Sequence, residues 1–110
     1  MGEPIEIRIY RGHRSKAPFS EWLASQKDKH TVAVVQARLN RIRLGNFGDS
    51  KPVGAGVHEL RINLGPGYRI YFGREGQAIV ILLCAGAKKT QRGDNEAAKE
   101  LWKDYLYGKN

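Results

Sequence analysis

Arg61 and Arg69 are the residues of this chain best suited to chemistry on a charged substrate. They flank Gly65-Pro66-Gly67, a tight reversal between two alternating segments. In Val57 to Leu64, His58, Leu60, Ile62 and Leu64 share one parity, and Glu59, Arg61 and Asn63 share the other. In Tyr68 to Gly73, Tyr68, Ile70 and Phe72 alternate with Arg69 and Tyr71. Paired as a hairpin, the segments project both arginines from one face, out of phase with their core residues. A guanidinium is planar and offers a fork of donors matched to phosphate oxygens. Two of them on a rigid sheet could hold a phosphate and stabilise charge developing on it. The same pattern also fits solvated arginines on an outer face, paired with Glu59.

A second basic group follows the next strand. Lys88 and Lys89 come directly after the apolar run that starts at Ala78, and Arg92 lies just beyond them. Lysine can neutralise a scissile phosphate, or move protons if neighbouring positive charge lowers its pKa. Lys51, in a loop rich in glycine and proline, is a further candidate contact. Tyr71 shares the parity of Arg69 and could stack on a base. Parity places His58 with the core, as a structural histidine. At a strand end it is also a candidate acid or base.

Other chemistries lack their residues. Cys84 is the single cysteine, and His13, His30 and His58 are scattered, so neither a metal site nor an internal disulfide is expected. Gly65-Pro66-Gly67 joins two strands and lacks the GxxxxGK[ST] phosphate-loop pattern. No Ser-His-Asp arrangement, cofactor motif or DNA-reading helix pair stands out.

The elements that must position these side chains can be read in order. Ile5, Ile7 and Ile9 alternate with polar neighbours as a half-buried strand. Pro18 opens a short helix to about Gln26. Asp28 caps a second helix carrying Val32, Val35, Leu39 and Ile42, which stops near Gly45. Asn46 to Gly56 reads as a loop. Three strands follow as a meander, the last apolar at both parities and therefore covered on both faces. Lys88 to Gly93 reads as a basic link, and Asn95 to Tyr107 as the final helix. These elements predict a single α+β domain over residues 1–110. A strand and a helical hairpin pack on a small, mainly antiparallel sheet, in the order β-α-α-β-β-β-α.

The formal charge is +8, from 19 Lys and Arg against 11 Asp and Glu. The middle of the chain is the basic pole: residues 51–93 hold 7 basic and 2 acidic side chains. Such a field suits a polyanion, whether nucleic acid, an anionic membrane surface or an acidic protein. No apolar run approaches the roughly 20 residues of a membrane span, and the N-terminal residues alternate instead of forming a signal-peptide block. A cytoplasmic protein is expected.

His58-Glu59-Leu60-Arg61-Ile62 followed by Tyr68-Arg69-Ile70-Tyr71-Phe72, with the run from Ile79 to Gln91 and with Pro18-Phe19 and Glu21-Trp22-Leu23, resembles the RelE/ParE toxin superfamily. The closest resemblance is to its phage-derived, HigB-like branch of addiction-module killer proteins, and it covers nearly the whole chain. The resemblance implies the toxin of a type II toxin–antitoxin pair that cuts messenger RNA on the ribosome without metal or cofactor. It implies that Arg61, Arg69, Lys88 and Lys89 act on the phosphate, and that a small helix-turn-helix antitoxin is the partner. Several RelE-type nucleases carry a tyrosine or histidine soon after the last strand. Lys88 to Gly93 offers neither, so the general base is not assigned. The ParE branch, which binds gyrase without cutting RNA, is the alternative.

Overall fold

A computed structural model describes residues 4–108 as an α+β fold with a five-stranded mixed sheet and three helices. In chain order the elements are β1 (Glu6–Ile9), α1 (Pro18–Ala24), α2 (Lys29–Arg43), β2 (Ser50–Gly54), β3 (Val57–Ile62), β4 (Tyr68–Glu75), β5 (Ile79–Ala87) and α3 (Gln91–Gly108). The sheet order is β1-β5-β4-β3-β2, with β1 parallel to β5 and the other pairs antiparallel.

The helices follow local rules. Pro18 stands at the start of α1, where its missing N–H costs nothing. The Asp28 carboxylate accepts the His30 backbone N–H and so caps α2. Val35, Leu39 and Ile42 recur along α2 at helical spacing and are buried. They meet Phe19 of α1 and Leu60, Ile62, Ile70, Phe72, Val80 and Leu82 of the sheet. Ala98 and Trp102 of α3 pack on the other face, against Val57, Tyr71, Ile81, Leu83 and Cys84. β5 is therefore covered on both sides, as its apolar run requires. A register shift after Tyr71 pairs Tyr71 with Cys84 and Phe72 with Leu82, so Leu83 and Cys84 both reach the α3 side.

Two expectations are corrected. Ser50–Gly54 is a strand, not part of a loop, and pairs antiparallel with β3 at the sheet edge. Pro52 is tolerated there because an edge strand has one unpaired side. Residues 54, 55 and 56 all have positive φ, which closes the β2–β3 hairpin. The element order is thus β-α-α-β-β-β-β-α. The final helix also begins at Gln91, not Asn95, and Lys88–Thr90 form a 3-10 turn leading into it. The Thr90 hydroxyl lies 2.5 Å from the Asp94 carboxylate and ties that turn to the helix.

Candidate functional site

The site is built on the α3 side of the two central strands. Arg61 and Arg69 are direct cross-strand partners, as are Glu59 and Tyr71. All four side chains therefore share one face. Like charges directly opposite are unfavourable in a sheet, and Glu59 offsets the repulsion from between them. Its carboxylate is fully buried. Arg61 Nε donates to Glu59 Oε1 at 3.3 Å, and Arg69 Nε lies 3.7 Å from the same oxygen. That second distance is an ion pair too long for a hydrogen bond, and Arg69 Nε has no hydrogen-bond partner. On Oε2, Gln91 Nε2 donates at 2.7 Å and the Tyr71 hydroxyl lies at 3.4 Å.

A charge this deep requires such partners. One carboxylate against two guanidiniums leaves the cluster net positive. Arg61 remains about a third exposed, with a side-chain exposure of 33%, whereas that of Arg69 is 9%. Gln91 is the first residue of α3, so the helix start is pinned directly onto the strand cluster.

Arg69 and Lys88 line one groove of about 370 Å³, with Asn63, Leu64, Gly65, Pro66 and Gly67. Its shape follows from the backbone. Lys88 N–H donates to the Gly67 carbonyl at 2.8 Å, so the β3–β4 turn is fastened to the end of β5. Gly67 has φ +79, and a Cβ there would sit 3.5 Å from Lys88 Cβ. Glycine thus permits both the turn and the close approach of the lysine. Lys89 and Arg92 are exposed on the 3-10 turn and on the first turn of α3. Lys51 is in register with Glu59 across β2–β3, so it stands exposed on the same face at the sheet edge.

Tyr71 does not take the place expected of it, whereas His58 takes the core-side place given by its parity. Tyr71 is fully buried beneath α3 and cannot stack on a base. The parity was read correctly, but the face is covered. Burial, then the neighbouring Glu59 charge, raises its phenol pKa, so it stays a protonated donor. His58 lies on the opposite face, half-buried, its ring stacked on Phe72 at 5.2 Å between centroids. It is a structural histidine, away from the arginines. Glu59 was expected only as the ion-pair partner of solvated arginines, not as a buried carboxylate, and no role was expected of Gln91.

Burial, then the Arg74 charge, lowers the His58 pKa below its ordinary 6.5. The unfolded chain takes up a proton near 6.5 that the folded chain refuses, so stability falls as pH drops below that value. Urea midpoints measured from pH 7 to pH 5 are expected to fall less steeply for His58→Phe, which keeps the ring stack and removes the titration. An unchanged slope would assign the pH dependence to other groups.

Among the described residues, no three His, Cys, Asp or Glu side chains gather to hold a metal ion, and no helix is long and apolar enough to cross a membrane. The Cys84 thiol is buried, and burial, with Asp94 nearby, pushes its pKa up to about 12. It is a core residue, not a nucleophile.

Fold and site together define a small basic α+β domain in which a buried carboxylate gathers two arginines, one of which lines a groove with Lys88. No family model matches the sequence. A Haemophilus influenzae protein named only "Uncharacterized protein" is 46% identical over 83 residues, covering 76% of this chain and 84% of its own length. The chain belongs to the same family as that protein.

Proposed function

We propose that this protein is a RelE-like toxin of a type II toxin–antitoxin pair, a metal-independent endoribonuclease acting on messenger RNA at the ribosome in the cytoplasm. The observation that carries the reading is the groove shared by Arg69 and Lys88, beside an arginine pair held on one buried carboxylate. This is a preorganised cationic site of the size of a phosphate group and its sugar neighbours. The net charge of +8 adds attraction for a polyanion.

In this reading the 2′-hydroxyl oxygen attacks the adjacent phosphorus and forms a new P–O bond, its proton passing to solvent, which in turn supplies the proton taken up by the leaving oxygen. The bond to the 5′ oxygen breaks, and that oxygen leaves with a proton as a 5′-hydroxyl. The other product carries a 2′,3′-cyclic phosphate. Arg61 and Arg69 stabilise the charge that builds on the non-bridging oxygens, with Lys88 and Lys89 around the groove mouth. Lys51 and Arg92 neutralise flanking phosphates. Tyr71, being buried, has no RNA contact, and His58 has no part in the chemistry. The partner is a small helix-turn-helix antitoxin that covers the cationic face, burying about 1,200 Å² or more.

Brief induction of the chain alone is expected to arrest growth and to create new RNA 5′ ends within coding sequences. Co-expression of the antitoxin should abolish both. Growth arrest with intact messenger RNA and gyrase-linked DNA breaks would replace this reading with a ParE-type one. Harmless expression in several hosts would remove the toxin reading altogether.

A further inference from the structure

Glu59 is the most deeply buried charged residue described, and it lies between the two arginines of the site. Its exposure is 0%. Both oxygens are engaged: Oε1 by Arg61 Nε and Arg69 Nε, Oε2 by Gln91 Nε2 and the Tyr71 hydroxyl. Three donors and one ion pair thus surround the carboxylate. Its neighbours come from β3, β4 and the first residue of α3, and it is the side chain that all three elements meet.

We infer that Glu59 is the positioning residue of the site: its buried carboxylate holds Arg61 by a hydrogen bond at Nε and Arg69 by a close charge contact, and so turns the outer ends of both guanidiniums toward the substrate phosphate. The inference rests on the endoribonuclease reading for its substrate, but the hold itself is a property of the folded chain. Arg61, bonded at Nε, keeps its Nη groups for a ligand in a fixed orientation, and Arg69 is fixed by the same carboxylate together with its Nη1, which donates to the Tyr68 carbonyl at 3.4 Å. Without the carboxylate the paired arginines repel, and Arg61, already a third exposed, is free to swing into solvent. A Gln at position 59 is almost isosteric; it removes the charge and replaces one acceptor oxygen with an amide donor. Misorientation of such a pair is expected to lower the rate about 10- to 100-fold, with KM changed less than threefold, because Lys88, Lys89 and the overall charge still attract RNA.

The test is the arginine Nε–Hε NMR spectrum of the full chain, with folding of each variant checked by its amide spectrum. In the wild type, two signals should stand apart from the solvent-exposed arginines and should vanish singly in Arg61→Lys and Arg69→Lys. Glu59→Gln should return both to the exposed position and lower kcat for ribosome-bound RNA as stated. If Glu59→Gln does not fold, Glu59→Asp replaces it: the charge is kept but drawn back by one methylene, and the same two signals should move the same way by less. Signals unmoved in a folded Glu59→Gln or Glu59→Asp chain would overturn the inference. An unchanged kcat with moved signals would also overturn it, because the hold would then have no catalytic consequence. If the signals move as expected in Glu59→Gln but the wild type cuts no RNA, the endoribonuclease reading fails while the hold of Glu59 on the arginines stands.

Discussion

Arg69→Ala is expected to lower RNA cleavage by about 10²–10³-fold, the usual cost of losing one preorganised donor to a developing charge, and to weaken the fold as well. The side chain is buried, pairs with Glu59 and lines the groove with Lys88. Its loss leaves a buried carboxylate with one guanidinium instead of two, at a cost of about 1–3 kcal/mol. Arg61→Ala should lower activity on the same scale but cost under about 1 kcal/mol, because a third of that side chain already lies in water. The two arginines look equivalent by strand parity, and it is their burial that separates them. Leu60→Ala is the control: a fully buried core truncation should cost about 2–5 kcal/mol and lose activity through unfolding. Growth arrest and urea denaturation measured on the same variants check all three. Folded arginine variants that still arrest growth fully would remove both residues from the site.

The second large effect belongs to Gly73, which has an ordinary strand conformation and is glycine for lack of space. A Cβ there would lie 2.4 Å from Cε3 and Cζ3 of Trp102. The indole cannot easily retreat, since it is buried and stacked on Tyr105 at 5.4 Å between centroids. Gly73→Ala is expected to cost about 3 kcal/mol, the upper end for overpacking, out of a total stability of roughly 5–15 kcal/mol. In a Trp102→Ala background the same change should cost little, because the obstructing ring is gone. Equal costs in the two backgrounds, measured by urea denaturation, would show that the close approach of α3 to β4 is not what fixes this glycine.

The same close approach explains what was legible in the sequence. Strand parity placed Arg61 and Arg69 on one face, and the pairing of β3 with β4 sets them directly opposite each other. The apolar run of β5 announced a sheet covered on both sides, and that implication reaches further than it was first taken. If β5 is covered on its second face, so are residues of its neighbour β4 on that face. Tyr71 therefore had to be buried, Glu59 is its direct cross-strand partner on β3 and is buried with it, and the buried carboxylate had to be paired. Polar parity alone suggested solvent. β2 was hidden for a different reason. Ser50–Gly54 has no apolar alternation because it is largely exposed at the sheet edge, and its hairpin signal is only the pair of glycines around Ala55. The helix start at Gln91 was obscured by Gly93, a weak helix former. The groove of Arg69 and Lys88 depends on the Lys88–Gly67 backbone contact, which no local pattern encodes.

The most direct measurement is the chemistry of the RNA ends made by purified protein on translating ribosomes, with enough EDTA to remove trace transition metals while leaving the ribosomes intact. If the arginines and lysines of this groove act on the scissile phosphate and the 2′-hydroxyl is the nucleophile, cleavage persists and the products carry a 2′,3′-cyclic phosphate and a 5′-hydroxyl. Products bearing a 5′-phosphate, or cleavage abolished by the chelator and restored by added metal, would contradict the account.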